Sequence, residues 1–338
     1  MRQIAVEGAG GYERLEVREV PRPAPGPGEV LVDVEAIGVN YADCLVRRGL
    51  YASAKVYVGW PITPGFEVAG RVAAIGAGVT QWSVGQDVVA LTRFGAYCEA
   101  LVVPEGQVFV RPPGLTAVQA AAFPVAYLTA WYALELGAVG PDDVVLVHSA
   151  AGGVGLALVR LARRRGARVV GVIGTESKRA AAEEAGAEVL AKGPALWPAL
   201  ESKAPLGFDA VFDANGVETL RRSYDHLRPG GRLVVYGFHT MVPRAGVGWL
   251  RGMAHLVWSW LRTPRFSPLD MTTSNRSVLA FNLSFMFDRT EVLHRAIAAV
   301  TQAELGSTPI TTYPLALVGA AHRDLESGQT VGKLVLVP

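Results

Sequence analysis

Short apolar runs separated by glycine and proline dominate the first third of the chain. Val30–Ile37, Phe66–Ile75 and Asp87–Leu91 each read as a β-strand. Pro21–Gly28 reads as a turn segment, because the strand pattern resumes directly after it. From about Pro124 the rhythm changes. Val144–His148 is a continuous apolar run, and after a Ser-Ala-Ala-Gly-Gly stretch Val154, Leu158 and Leu161 recur at helical spacing through Val154–Arg165. Further buried runs lie at Arg168–Ile173, Glu188–Ala191, Ala210–Asp213, Arg232–Tyr236 and Val278–Leu283, with helices expected at Glu176–Ala185 and Val217–Leu227. Strands that are apolar throughout and alternate with helices predict a parallel sheet covered on both faces. Six in this order fit the doubly wound, dinucleotide-binding arrangement. A helix at Thr290–Gln302 and a strand at Lys333–Val337 are assigned back to the first domain. The expected fold class is α/β: a Rossmann sheet over 124–287 and a β-rich substrate domain over 1–123 and 288–338.

The length of 338 residues agrees with two domains. A net charge of +2, with both signs spread along the chain, gives no electrostatic footprint for nucleic acid, and none is expected as a partner. Cys44 and Cys98 are too few for a disulfide framework or a cysteine-rich zinc lobe, so both read as buried thiols. Met1–Gly10 lacks a charged start followed by an apolar run, which makes cytoplasm the default compartment. The longest apolar stretch, Ala245–Leu261, is interrupted by Arg251 and His255 and falls short of a membrane span.

Ala150-Ala151-Gly152-Gly153-Val154-Gly155 lies between the first strand and first helix of the alternating series. It reads as a GxGxxG loop with alanine in the first glycine place. Gly152 would let backbone approach a pyrophosphate, and Gly155 would let the helix pack against the strand. The second strand ends Val172-Ile173-Gly174-Thr175, without the carboxylate that usually binds the ribose hydroxyls of NAD. The chain has lysine only at 55, 178, 192, 203 and 333, and Lys178 and Lys192 fall at adjacent strand ends. Missing acid and nearby cations predict NADPH, with Gly174, Thr175, Lys178 and Lys192 around the 2′-phosphate.

Several stretches resemble one known family. Gly38-Val39-Asn40-Tyr41-Ala42-Asp43 with Arg47 and Gly49-Leu50-Tyr51, Thr63–Gly70, Val147–Gly155 and Val331–Leu336 are similar to the quinone oxidoreductases of the medium-chain dehydrogenase/reductase superfamily. Ser274–Val278, after a tryptophan-rich segment, is most similar to the vesicle-amine-transport-protein-like branch. The resemblance implies a GroES-like substrate domain. Zinc-dependent relatives carry Cys where Asn40 stands and His where Phe66 stands. Asn and Phe cannot supply the thiolate and imidazole of a catalytic zinc, so no metal is expected. The implied chemistry is NADPH-dependent hydride transfer to a quinone or enone, with Asn40 and Tyr51 as catalytic candidates. Asp43 is expected to cap or to pair with Arg47. Further cofactor contacts implied are Thr129, Ala151, Gly152, Gly153, Val154, Val217, Tyr236, Gly237, Phe238, His239, Phe281, Asn282 and Leu283. The family also implies a homodimer through the sixth Rossmann strand.

Residues 244–266 exceed a plain Rossmann crossover. Leu250, Ala254, Val257 and Leu261 form one apolar helical face, widened by Trp249, Trp258 and Trp260 and flanked by Arg244, Arg251, Arg262 and Arg265. The favoured expectation is a helix covering the substrate cleft or a neighbouring subunit, with its tryptophans buried. A peripheral helix on an anionic membrane uses the same residue types. Reduction of enoyl thioesters or other alkenes, and a lipid-surface module that retains NADPH, remain as alternative functions.

Overall fold

A computed structural model describes residues 1–241, 249–301 and 308–338. The chain divides into two compact units, Met1–Leu128 with Leu283–Pro338, and Thr129–Asn282.

The first unit begins with strands β1 (Arg2–Ala5), β2 (Glu16–Glu19) and β3 (Glu29–Val39), followed by helices α1 (Tyr41–Arg47) and α2 (Ala52–Tyr57). Strands β4 (Glu67–Ile75), β5 (Asp87–Leu91), β6 (Ala100–Pro104) and β7 (Val108–Val110) come next. Helix α3 (Ala117–Ala121) then precedes α4 (Pro124–Leu136), inside which the chain passes to the second unit.

That unit runs β8 (Val144–His148), α5 (Gly153–Arg164), β9 (Arg168–Ile173), α6 (Arg179–Glu184), β10 (Glu188–Ala191) and α7 (Leu196–Lys203). It continues β11 (Phe208–Asp213), α8 (Leu220–Asp225), β12 (Leu227–Val235), α9 (Trp249–Arg262), α10 (Pro268–Ser274) and β13 (Ser277–Ala280). The chain then returns to the first unit for α11 (Thr290–Thr301), β14 (Ile310–Pro314), α12 (Val318–Ser327) and β15 (Lys333–Val337).

In the first unit the order is β14-β15-β3-β4-β5-β7, with β6 also paired to β3. The eleven-residue β3 changes partner along its length: Glu29–Asp33 pair with β6, whereas Ile37–Val39 pair with β15. Its apolar residues, among them Val30, Val32 and Ile37, pack with Val68, Val88, Tyr97, Leu334 and Leu336 in one core. Register places Val39 opposite Leu334 and Ile37 opposite Val68, so Asn40, Glu67 and Lys333 gather at one end of three neighbouring strands. Gly38 is obligatory there, because a Cβ would stand 2.4 Å from the Ala121 carbonyl oxygen of α3.

The second unit is a six-stranded parallel sheet in the order β10-β9-β8-β11-β12-β13. This is the doubly wound order that the alternating pattern predicts. Several boundaries differ from expectation: β11 begins two residues early, at Phe208, and β12 starts at Leu227, where the preceding helix was expected to end. Glu176–Lys178 is a 3-10 turn that precedes α6. Gly216, at φ +94°, holds the chain in a turn until α8 starts at Leu220. The sixth strand stops at Ala280; Phe281 donates one more bond to Val235, and Leu283 opens a 3-10 turn whose Ser284 hydroxyl is 2.7 Å from that of Ser53.

In helix α9, Trp258 and Trp260 are 50% and 62% exposed, and Leu250, Val257 and Leu261 also face outward, so the described residues of the second unit do not bury this face. Residues 244–248, including Arg244, lie outside the described residues, as does the side chain of Trp249. Cys44 and Cys98 are both buried free thiols.

Candidate functional site

Asn40 ends β3 and precedes α1, and two polar clusters grip it. On the side-chain side, Lys333 Nζ donates to Asn40 Oδ1 at 2.5 Å and to Glu67 Oε1 at 2.7 Å. Asn40 Nδ2 donates to the same Glu67 oxygen at 2.8 Å, and Glu67 Oε2 accepts the Val125 N–H at 2.7 Å. Glu67 and Lys333 are buried, so each charge is neutralised by the other and by hydrogen bonds rather than by water.

On the backbone side, Asp43 Oδ2 accepts the Asn40 N–H at 2.7 Å and the Tyr97 hydroxyl at 2.9 Å, while Oδ1 accepts the Gly65 N–H. Behind Tyr97 stands His322, with Nε2 at 3.0 Å from the hydroxyl and Nδ1 at 3.2 Å from Arg47. Arginine only donates, so Nδ1 accepts and the proton sits on Nε2. The bonds thus run in one direction, Arg47 to His322 to Tyr97 to Asp43. Burial pushes Asp43 up to about 7 against the pull of these donors. Burial, with Arg47 beside it, pushes His322 down to about 3 and keeps its ring neutral. Asp43 caps α1 as expected but does not pair with Arg47, which instead binds the Glu326 carboxylate at 2.9 and 3.0 Å.

Tyr51 precedes α2 and sets its ring edge-on to Phe66 at 5.8 Å and Phe94 at 6.3 Å between centroids. Phe66 is buried immediately before Glu67, so aromatic packing and the buried ion pair adjoin. Among the described residues no group of three or more His, Cys, Asp or Glu side chains could hold a metal.

The second unit builds a cradle mainly from backbone. Ser149 adopts φ +55° after β8, and its Oγ donates to Asn215 Oδ1 at 3.0 Å. Its carbonyl accepts the Gly152 N–H, which precedes α5. A Cβ on Gly155 would stand 2.2 Å from that same carbonyl oxygen, so only glycine fits. Asp213 Oδ1 accepts the N–H groups of Asn215 and Gly216, fixing the loop after β11. Ala214 in turn accepts from His239 N and lies 2.9 Å from His239 Nδ1. The loops carrying Ala151–Val154, Val217 and Tyr236–His239 are thereby tied together. The first N–H groups of α5 have no helical partners, and this is an anion-binding arrangement. The residues fit a dinucleotide.

Phe281 lies 6.3 Å from Tyr236 in a stacked arrangement and 5.0 Å from Tyr132. Phe238 is exposed, Asn282 half-buried, and Thr129 buried within α4. Burial pushes the His239 pKa down, which leaves a neutral ring and no cationic acid. Just after β9, Gly174 faces open space and Thr175 Oγ1 is 3.2 Å from Ser177 Oγ. Burial pushes the Lys178 pKa down. Lys192 pairs with Glu218 at 2.7 Å, both of those groups half exposed.

Sequence reasoning gave no role to Glu67, Tyr97, His322 or Lys333. A signal existed for Lys333, one of five lysines and set in an otherwise apolar strand.

A GroES-like unit joined to a doubly wound sheet with a pyrophosphate cradle defines a medium-chain dehydrogenase/reductase. Residues 26–113 match the alcohol dehydrogenase GroES-like domain, and residues 153–258 match the family described as zinc-binding dehydrogenase. The chain belongs to the zinc-free, quinone oxidoreductase-like family of that superfamily. It is 33% identical to the human synaptic vesicle membrane protein VAT-1 homolog over 351 residues, covering 100% of this chain and 86% of the relative. It is also 33% identical to a Burkholderia 2-haloacrylate reductase, covering 97% and 96%. The Escherichia coli quinone oxidoreductase complexed with NADPH superposes with a TM-score of 0.86 at 27% identity, covering 100% of both chains.

Proposed function

We propose that the chain is a cytoplasmic, zinc-independent reductase that uses NADPH to reduce quinones, enones and related conjugated carbonyls. The observation that carries this reading is Asn40, whose amide is held by a buried ion pair and retains one hydrogen without a partner among the described residues. That N–H can donate to the acceptor oxygen, where negative charge grows as reduction proceeds. Tyr51 offers a flat face to a conjugated acceptor and a hydroxyl near it. Bound in the cradle, the cofactor supplies a hydride, that is, two electrons and one proton. The second proton comes from the Tyr51 hydroxyl, which water then reprotonates, giving a quinol or a saturated carbonyl. The quinone oxidoreductase and 2-haloacrylate reductase among the relatives support this acceptor class.

The test is steady-state NADPH oxidation against a panel of quinones, enones and enoyl thioesters. Asn40→Ala is expected to lower kcat by roughly 100-fold, the usual loss for one oxyanion donor. Tyr51→Phe should lower it less, and NADPH affinity should stay within a few-fold in both. A flat panel, or losses confined to cofactor binding, overturns the assignment.

The exposed face of α9 favours a second reading, in which the same chain rests on anionic membrane. Trp258, Trp260, Leu250 and Leu261 supply apolar area. Arg221, Arg222, Arg262 and Arg265 line an open cavity of about 400 Å³ near the end of that helix. Apolar side chains beside clustered cations suit an anionic interface. Cosedimentation with phosphatidylserine vesicles, lost in Trp258→Ala/Trp260→Ala and weakened by salt, supports it; absence of binding at low salt refutes it. The outer edge of β13 is the counterpart for a second copy. We propose that the chain dimerises there, and light scattering of the purified protein decides it.

A further inference from the structure

We propose that Lys333 is a positioning residue that sets the orientation of the Asn40 amide and strengthens its remaining N–H as a donor. The inference rests on the assignment of Asn40 to the acceptor oxygen.

An asparagine amide can turn over, exchanging its oxygen and nitrogen at little cost unless its neighbours distinguish them. Here they do. Lysine only donates, and an ionised carboxylate only accepts. Lys333 Nζ at 2.5 Å therefore requires the oxygen of Asn40, and Glu67 Oε1 at 2.8 Å requires the nitrogen. The third contact, Lys333 to Glu67 at 2.7 Å, closes a triangle of donors and acceptors with no second solution. The main chain is fixed independently, because Asp43 holds the Asn40 N–H. Both amide ends are thus assigned by charge, and the one hydrogen left over has a defined direction.

Charge also changes the strength of that hydrogen. An ammonium on Oδ1 draws electron density through the amide and leaves Nδ2 more positive. Bonds in such a chain reinforce one another, more so where water is excluded. Lys333 lies at the start of β15 and Glu67 at the start of β4, so the cation arrives on a rigid element rather than a mobile loop. The Nδ2–H bond to Glu67 pulls the other way, raising density on nitrogen. Lys333 therefore contributes net polarisation only while it is charged and in place.

The experiment compares Lys333→Met, Lys333→Arg and the charge-free pair Glu67→Gln/Lys333→Met, each in the wild-type and Asn40→Ala backgrounds. The paired variant removes both charges together and supplies a folded protein if Lys333→Met alone does not fold. Removing Lys333 is expected to lower kcat at least tenfold with NADPH affinity unchanged. Lys333→Arg should recover most of it. In the Asn40→Ala background the same substitutions should change kcat less than twofold, since their route of action is gone. An equal fold loss in both backgrounds shows a merely structural role and overturns the proposal.

A second readout needs no turnover. The chain has four asparagines, so ¹⁵N-asparagine labelling isolates the Asn40 amide, assigned from its loss in Asn40→Ala. One protected orientation is expected in the wild type and two exchanging orientations without Lys333. An amide signal unchanged by Lys333→Met or by the paired variant also overturns the proposal. If no acceptor is turned over, the proposed function fails while this measurement still decides the positioning role.

Discussion

The polar cluster of the first unit and the glycine-rich cradle of the second reach rigidity by opposite routes. Around Asn40, charged side chains are buried and fully paired: Glu67 with Lys333, Arg47 with Glu326, and Asp43 with three donors. Around the cradle of the second unit, shape comes from backbone carbonyls and from glycines at Gly155 and Gly216, tied by the side chains of Ser149, Asp213 and Asn215. The first arrangement is sensitive to unpaired charge, because a lone buried ion has neither water nor partner. The second is sensitive to added volume, because nothing can move aside from a Cβ that meets main chain.

Glu67→Ala breaks the comparison most severely. It strands the Lys333 ammonium in the core, and a loss of about 3–5 kcal/mol is expected in denaturant unfolding. A loss under about 1 kcal/mol would mean that water reaches Lys333. Gly155→Val comes next. Its Cβ meets the Ser149 carbonyl oxygen at 2.2 Å, and forced overpacking of about 1–3 kcal/mol translates into a roughly tenfold to hundredfold weaker NADPH titration. Unfolding of this variant without cofactor should change less than its affinity does.

A pH measurement sharpens the contrast. Asp43, held near 7 against a usual 3.8, keeps a proton in the folded state that the unfolded chain has released, so its contribution falls as pH rises from about 4 to 7. His322, held near 3 against 6.5, refuses a proton that the unfolded chain accepts, so its contribution is lost as pH falls below about 6.5. Between pH 4 and 6.5 the two slopes oppose each other. His148 and His239, also lowered by burial, act in the sense of His322. Asp43→Asn removes the opposing slope, and acid destabilisation should steepen by about 1.4 kcal/mol per pH unit. An unchanged slope would show that Asp43 stays ionised throughout.

The smallest effect separates the two lysines expected at the 2′-phosphate. Lys192 already spends its charge on Glu218 at an exposed position, and such pairs exchange partners for less than about 1 kcal/mol. Lys192→Ala should weaken NADPH by a few-fold at most. Lys178→Ala should weaken it about tenfold and leave NADH alone, in line with one charge-assisted phosphate contact. Equal losses in the two variants would reverse their ranking.

The parallel sheet was the most legible part of the molecule: its central strands are mainly apolar, and β8, β9 and β10 have the limits expected from their runs, as do β5 and β15 of the first unit. Short elements whose signal is weak, such as β1, β2, β7, α2 and β14, carried no such pattern and emerge only through tertiary pairing. The cradle was legible because glycine spacing beside a strand is local. The Asn40 cluster was not, since Glu67 and Lys333 are 266 positions apart and only strand register unites them. Helix α9 was legible only as a helix: an apolar stripe states that something must cover it, but not what, and Trp258 and Trp260 stay exposed among the described residues of the second unit.

The place of β15 has a consequence for the order in which the chain can acquire structure. This strand follows every other element in sequence, yet it sits inside the sheet of the first unit, between β14 and β3. The second unit, Thr129–Asn282, is continuous and needs no residue outside itself to complete its sheet. During synthesis it can close while the earlier residues wait for their last neighbour, and the long loop to be closed slows that final docking. Until then Glu67 has no cation beside it and the end of β3 has an open edge. A nascent chain halted before residue 333 should therefore expose a protease-sensitive first unit attached to a protected second one.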